Sequence, residues 1–169
     1  MSDPPRNAST RTTGKCIRGE DLAANVALIR QQSRSIVLTN GCFDLLHPGH
    51  VGYLEDAAAE GDCLIVAVNA DHTVTQLKGP SRPIMSAQER ARMLAALACV
   101  DLVVIFDEPT PHAVIEIVRP DILVKGGDYA IADVVGRELV ESFGGEVKTL
   151  SLTPGLSTTH VLQRLAQAG

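Results

Sequence analysis

Five short β-branched runs, each separated from the next by a stretch with helical signals, constrain this chain more than any other feature. They are Ser35–Thr39, Cys63–Val68, Leu102–Phe106, Ile122–Lys125 and Val147–Leu152. Near-continuous apolar strands are buried on both faces, as in a parallel sheet covered by crossover helices. Helices are predicted over Gly49–Glu60 and over Ser86–Leu97, the second opened by Ser86 and Glu89 at capping-box spacing. Thr110 with Pro111 starts a third, Asp133 caps a fourth, and Ser157 opens the last. A leading helix follows Asp21, where Leu22, Val26 and Ile29 recur at helical spacing. The pattern predicts an α/β fold: an open parallel five-stranded sheet with helices on both faces. Ligands of such sheets bind at the carboxyl ends of the strands, where the strand order reverses.

A chain of 169 residues supplies one ordinary core. Residues 1–18 are polar and basic, with Arg6, Arg11, Lys15 and Arg18 against Asp3, and are expected to form a flexible tail ahead of a single domain over 19–169. The formal net charge is −5, so the acidic excess lies in the body, which also shares only three Phe and two Tyr. A nucleic-acid binder needs a basic face or a stacking platform, and this composition argues against one. No apolar run reaches the roughly 18 residues of a membrane span, and the first residues carry no apolar signal segment. The expectation is a cytoplasmic protein with no membrane partner. Four cysteines without a C-x-x-C pair indicate neither a zinc site nor a disulfide framework.

The chemistry concentrates in Thr39–Glu55 (TNGCFDLLHPGHVGYLE). A buried strand ends at Thr39, a turn of Asn40, Gly41, Cys42, Phe43 and Asp44 follows, and a helix begins near Pro48. Such a turn aims free backbone N–H groups and the positive helix end at one spot, which makes an anion site. His47 and His50, three residues apart, can both face it. A metal pair would need a third ligand that the sequence does not offer, and a Cys42–His47 nucleophile pair lacks an orienting third member. Simple capping is a further alternative, but histidine is not favoured at helix starts. The remaining reading is a pair that donates hydrogen bonds to a phosphoryl group in transfer. Lys78 and Arg82, in a loop after the second strand, are suited to close over phosphates. Glu89 and Arg90 read as structural, Arg90 in a scaffold ion pair. Lys125, Gly126, Gly127 and Asp128 end the fourth strand, where glycines admit a nucleobase or ribose against the backbone and Asp128 can hold a ribose hydroxyl. Ser157, Thr158 and Thr159 offer hydroxyls and N–H groups to phosphates at the start of the last helix.

The run GCFDLLHPGH resembles the G-x-F-D-x-x-H-x-G-H signature of the cytidylyltransferase-like nucleotidyltransferases at every fixed position. Lys78-Gly79-Pro80-Ser81-Arg82-Pro83, the Glu89-Arg90 helix, Val124–Tyr129 (VKGGDY) and Leu156-Ser157-Thr158-Thr159 follow in family order. Together they resemble the D-glycero-D-manno-heptose 1-phosphate adenylyltransferase branch, over about residues 20 to 167. The resemblance implies a Rossmann-like nucleotidyltransferase fold and transfer of AMP from ATP to a heptose 1-phosphate, giving ADP-heptose and pyrophosphate. It implies His47, His50 and Lys78 as catalytic residues. Asn40 to Phe43, Lys125 to Asp128 and Ser157 to Thr159 would hold nucleotide, and Asp71, Lys78 and Arg82 the sugar phosphate. Tyr129 would wall the base pocket. Mg²⁺ would arrive bound mainly through the ATP phosphates, with no protein metal site. A homodimer, and a separate kinase and phosphatase to make the substrate, are implied likewise. Leu152 and Leu162 stand where cousins carry a phosphate-clamping arginine, which weakens a cytidylyltransferase assignment. A related enzyme using CTP or glycerol 3-phosphate, and a non-catalytic nucleotide-binding module, are the competing expectations.

Overall fold

A computed structural model describes residues 12, 14–127, 130–151 and 158–167. Six parallel strands form one sheet: β1 (Cys16–Ile17), β2 (Ile36–Gly41), β3 (Cys63–Asn69), β4 (Leu102–Phe106), β5 (Ile122–Gly126) and β6 (Glu146–Leu150), in the order β1-β4-β3-β2-β5-β6. The helices are α1 (Leu22–Gln31), α2 (Pro48–Ala58), α3 (Asp71–Lys78), α4 (Ala87–Ala95), α5 (His112–Val118), α6 (Arg137–Ser142) and α7 (Thr158–Gln167).

The apolar runs become strands because both of their faces are covered. Alternate residues of β2 and β3, such as Ile36, Leu38, Ile65 and Ala67, pack with Leu22, Val26 and Ile29 of α1, Val114, Ile115 and Val118 of α5, and Val140 of α6. The intervening Val37, Leu64, Val66 and Val68 meet Tyr53, Leu54 and Ala57 of α2 and Ala91, Leu94 and Ala95 of α4 on the other face. All seven residues of β3 are therefore buried, and no polar alternation shows in its sequence. Among the described residues no helix is long and apolar enough to cross a membrane.

From β2 the chain builds outward through β3 and β4, then returns to place β5 and β6 on the other side of β2. The strand order reverses between β2 and β5, so the crevice opens at Asn40 and Gly41 on one strand and at Lys125 and Gly126 on the other.

Several expectations need correction. The sheet has six strands, because Cys16 and Ile17 pair with Val103 and Val104 at the edge. Lys15 fixes this strand, its Nζ donating to the carbonyls of Leu97 (3.1 Å) and Val100 (2.6 Å). Residues 14–18 thus belong to the body; residues 1–11 and 13 of the expected tail lie outside the described residues. Asp133 caps no helix: it sits in the short 3₁₀ turn Ile131–Asp133, and α6 starts at Arg137 behind Gly136. Gly136 has φ +91°, and a Cβ there would lie 2.3 Å from Ile115 Cδ1, so glycine sets that helix start. Asp21 precedes α1 without a side-chain capping bond. Finally, Lys78 does not lie in a loop but in the last turn of α3, a helix the sequence reading left out. The capping box of Ser86 and Glu89 forms at the start of α4 as expected.

Candidate active site

At the reversal point lies a cleft of about 470 Å³. Its floor is the β2–α2 turn, Asn40 to Asp44, with His50 from the first turn of α2. Lys78 reaches it from the end of α3, and Lys125 and Gly126 from the end of β5. Pro109 to Pro111 after β4, Asp133 to Val135 after β5, and Thr158 complete the lining.

Buried ionic and hydrogen-bonding groups fix the turn. Arg90 of α4 is fully buried and spends its donors on the carbonyls of Cys42 (2.5 Å), Asn69 (2.7 Å) and Met85 (3.0 Å) and on Asp71 Oδ1 (2.7 Å). One guanidinium therefore ties the β2–α2 turn to the end of β3 and the start of α3. Asp44, also buried, accepts from the Ile84 and Met85 N–H groups (2.7 and 3.1 Å) and pairs with Arg82. The segment that follows Lys78 is thereby anchored to the same turn. Phe43 takes a left-handed φ of +46°, and its ring lies 3.0 Å from where a Cβ on Gly41 would stand. A Cβ at Gly41 would require the Phe43 ring to give by a few tenths of an ångström.

The two histidines are not equivalent. Their rings stack at 3.9 Å, and Phe43 meets His50 edge-on at 5.4 Å. His50 lines the cleft, whereas His47 lines an apolar groove on the outer side, with Leu46, Val51 and Leu97. The Nδ1 atoms of both rings are buried without a hydrogen-bond partner among the described residues. Burial lowers the His50 pKa from 6.5 to about 4, with the charges of His47 and Lys78 acting in the same direction and the Leu45 carbonyl opposing. Burial lowers that of His47 as well. Both rings are neutral at pH 7, so each carries one N–H donor. The stability consequence follows from proton counting. Between pH 6.5 and about 4 an unfolded histidine binds a proton that folded His50 does not, so stability is full above 6.5 and is lost as pH falls toward 4. His50→Gln is expected to flatten that fall, measured as the midpoint of thermal unfolding across the window; an unchanged slope would show that His50 titrates normally.

Lys125 donates to the Asn40 carbonyl at 3.3 Å across the reversal point, and burial lowers its pKa. A half-desolvated ammonium in the crevice favours an anion beside it. Beneath it, Tyr53 from α2 is hydrogen-bonded to Thr39 Oγ1 (2.6 Å) and donates to the Val124 carbonyl (3.2 Å), joining β2 and β5; burial pushes its pKa up to about 12. Tyr53→Phe should cost about 1–3 kcal/mol in denaturant unfolding, since it leaves the buried Val124 carbonyl without this donor and the buried Thr39 hydroxyl without its acceptor. A loss below a few tenths would show that the hydroxyl carries no load.

Of the residues expected to bind ligand, Asn40, Gly41, Cys42, Phe43, His50, Lys78, Lys125, Gly126 and Thr158 come together on the cleft. Asp71 and Arg82 do not line it; they are engaged with Arg90 and Asp44. Gly127, with φ +122°, donates its N–H to the Leu150 carbonyl and links β5 to β6. Asp128, Tyr129, Leu152, Leu156 and Ser157 lie outside the described residues, as does the side chain of Thr159. Tyr53, Asn69, Leu77 and the Pro109–Pro111 and Asp133–Val135 walls were not foreseen. Tyr53 lies in the Thr39–Glu55 run, and as the sole tyrosine of an apolar helix face it was the one legible signal among them.

The sequence profile of the cytidylyltransferase-like family matches residues 38–164, from β2 through α7. The chain belongs to the cytidylyltransferase-like family. As a cytidylyltransferase-like chain it is 53% identical over 146 residues to the bifunctional protein HldE of Syntrophotalea carbinolica, covering 86% of this chain and 30% of that protein. The HldE of Koribacter versatilis is 55% identical over 150 residues, with 89% and 31% covered. The chain thus spans about a third of the length of the curated relatives it matches. Among solved structures, a lipopolysaccharide core biosynthesis protein from Thermoplasma volcanium aligns with TM-score 0.58 and 29% identity, over 71% of this chain and 97% of that one. Pantoate-beta-alanine ligase from Francisella tularensis, solved with an ATP analogue and beta-alanine, shares the fold at TM-score 0.54 and 15% identity, over 87% and 76%.

Proposed function

We propose that this cytidylyltransferase-like domain transfers AMP from ATP to D-glycero-D-manno-heptose 1-phosphate, forming ADP-heptose and pyrophosphate. The observation that carries the transfer chemistry is the convergence of His50, Lys78, Lys125 and the Asn40–Asp44 turn on one cleft at the strand-order reversal. The choice of acceptor rests on the KGPSRP and VKGGDY segments and on the match to proteins named HldE.

A sugar 1-phosphate oxygen attacks the α-phosphorus of ATP in line; the new P–O bond forms as the bond to the β-phosphate oxygen breaks, and the electron pair leaves on pyrophosphate. The nucleophile is already an anion, so no general base is needed, and positioning with charge stabilisation supplies the catalysis. The His50 N–H and the turn amides, including that of Phe43, would meet the charge that grows on the α-phosphate. Lys78 and Lys125 would hold the outer phosphates and the sugar phosphate, with hydroxyls of Ser157 to Thr159 at the start of α7. Among the described residues no three His, Cys, Asp or Glu side chains converge as a metal cage. Mg²⁺ carried on the triphosphate would neutralise phosphate charge there. Asp71 and Arg82 brace the turn through Arg90 and Asp44, and Arg82 Nη2, buried without a hydrogen-bond partner among the described residues, leaves a donor open beside it.

Pyrophosphate release measured for the four nucleoside triphosphates against both anomers of heptose 1-phosphate and glycerol 3-phosphate tests the reading. Turnover should be greatest with ATP and one heptose anomer. Preference for CTP or glycerol 3-phosphate would overturn it, and nucleotide binding without turnover would point to a non-catalytic module.

A further inference from the structure

Asn69 ends β3, a strand whose other residues are all apolar, and it lines the cleft while only 5% exposed. The apolar pattern of the strand does not require an amide there, and burying one costs free energy unless its polar atoms are met. Two of its acceptors are met. Arg90 Nη2 donates to the Asn69 backbone carbonyl at 2.7 Å, and the Cys42 thiol donates to Oδ1 at 3.9 Å. The Nδ2 group has no hydrogen-bond partner among the described residues, yet it is not one of their fully enclosed unpartnered atoms, so it opens on the cleft. We propose that Asn69 is a further catalytic residue, whose Nδ2 donates a hydrogen bond to a non-bridging oxygen of the phosphoryl group in transfer. This rests on the proposed nucleotidyl transfer.

Position and chemistry select this role. Asn69 follows Ala67 by two residues, so its side chain projects on the sheet face that α1 and α5 cover, as do Ala67 and its register partner Phe106. His50 comes from α2, which covers the opposite face. The two donors therefore reach the cleft from opposite sides of the sheet, with the β2–α2 turn between them. A phosphorus under in-line attack spreads its charge over three equatorial oxygens, and one side chain cannot serve all three. His50 from one side and Asn69 from the other reach different oxygens. The amide is also held before substrate arrives. Arg90, which fixes the Asn69 carbonyl, fixes the Cys42 carbonyl at 2.5 Å as well, so one guanidinium sets both the turn and the donor. A donor fixed in this way needs no reorganisation as charge develops. Being neutral, it adds little attraction for the ground-state triphosphate, which Lys78 and Lys125 on the same cleft already supply. Its effect therefore falls on the transition state.

The test compares N69A and N69D with wild type, using the nucleotide and acceptor that wild type turns over. Single-turnover rates at saturating substrate are measured beside the Kd for the nucleotide, below the unfolding midpoint of each variant. N69A should lower the rate about a hundredfold, the loss typical of one oxyanion donor, with the Kd unchanged within about threefold. N69D keeps the shape and the acceptor for the Cys42 thiol but puts a carboxylate where the donor was, so its rate should fall below that of N69A. A purely structural asparagine gives the reverse order, because the near-isosteric aspartate preserves packing and the Cys42 contact better than alanine does. A rate for N69D at or above that of N69A would overturn the inference, as would an N69A rate within about threefold of wild type or equal losses in rate and Kd. If N69D does not fold, N69A decides alone by the split between rate and Kd. The proposed function is judged separately by wild-type turnover. Preference for CTP or glycerol 3-phosphate would overturn the transfer of AMP to heptose phosphate and leave Asn69 to be tested with those compounds; absence of any turnover would overturn both.

Discussion

His50→Ala is expected to lower kcat by two to three orders of magnitude, about 2.7–4 kcal/mol of transition-state stabilisation, with a much smaller change in the Kd for ATP. The neutral ring is held by stacking on His47 and by the edge of Phe43, so its N–H is positioned before substrate arrives. Such a donor gains strength only as charge develops on the transferred phosphorus, which is why the loss should fall on kcat. His47→Ala should cost less, because His47 stands behind His50 and outside the cleft. Single-turnover measurements with saturating ATP distinguish the two. Equal losses would place both rings on the phosphate, and a His50→Ala enzyme within a few-fold of wild type would end the transition-state role.

Arg90→Met should be the most destabilising single substitution in the site. It removes a fully buried guanidinium and leaves the carbonyls of Cys42, Asn69 and Met85 and the Asp71 carboxylate without their partner. The Asp71 carboxylate is 45% exposed and can be hydrated, so the cost falls on the three carbonyls; leaving a buried acceptor unpaired costs about 1–3 kcal/mol each, which at this chain length lowers the unfolding midpoint on the order of 10 °C. Because Arg90 touches the phosphate turn only through its backbone, the surviving folded fraction should also bind ATP more weakly. Arg90→Lys should restore part of the stability, since an ammonium can satisfy some but not all of four divergent acceptors. A loss under 1 kcal/mol for Arg90→Met would show that the turn keeps its shape without the clamp.

Much of this protein was legible in its sequence because the signals are local. The β-branched runs marked five strands, and Ser86 with Glu89 marked the start of α4, since a capping box is complete within four residues. The H-x-G-H segment marked the phosphate turn, and Arg90 read correctly as scaffold. What escaped depended on distant partners. The edge strand Cys16–Ile17 is two residues long and exists through β4 and the carbonyls that Lys15 reaches more than 80 positions away. Helix α3 was unreadable because DHTVTQLK holds β-branched residues and buries only Thr73 and Val74.

By itself, then, the sequence determined the α/β class, the strand-to-helix turn and the family that carries it, since each is written in periodicity or contiguous motif. Tertiary structure alone decided how identical residue types divide their labour. His50 reaches the cleft and His47 does not; Lys78 and Lys125 line the cleft, while Arg82 and Arg90 spend their charges on Asp44, Asp71 and backbone carbonyls. The physical reason is that a charge or a hydrogen-bond donor acts on whatever lies within about 3 Å of it, and which groups those are is fixed by the order in which the strands pack.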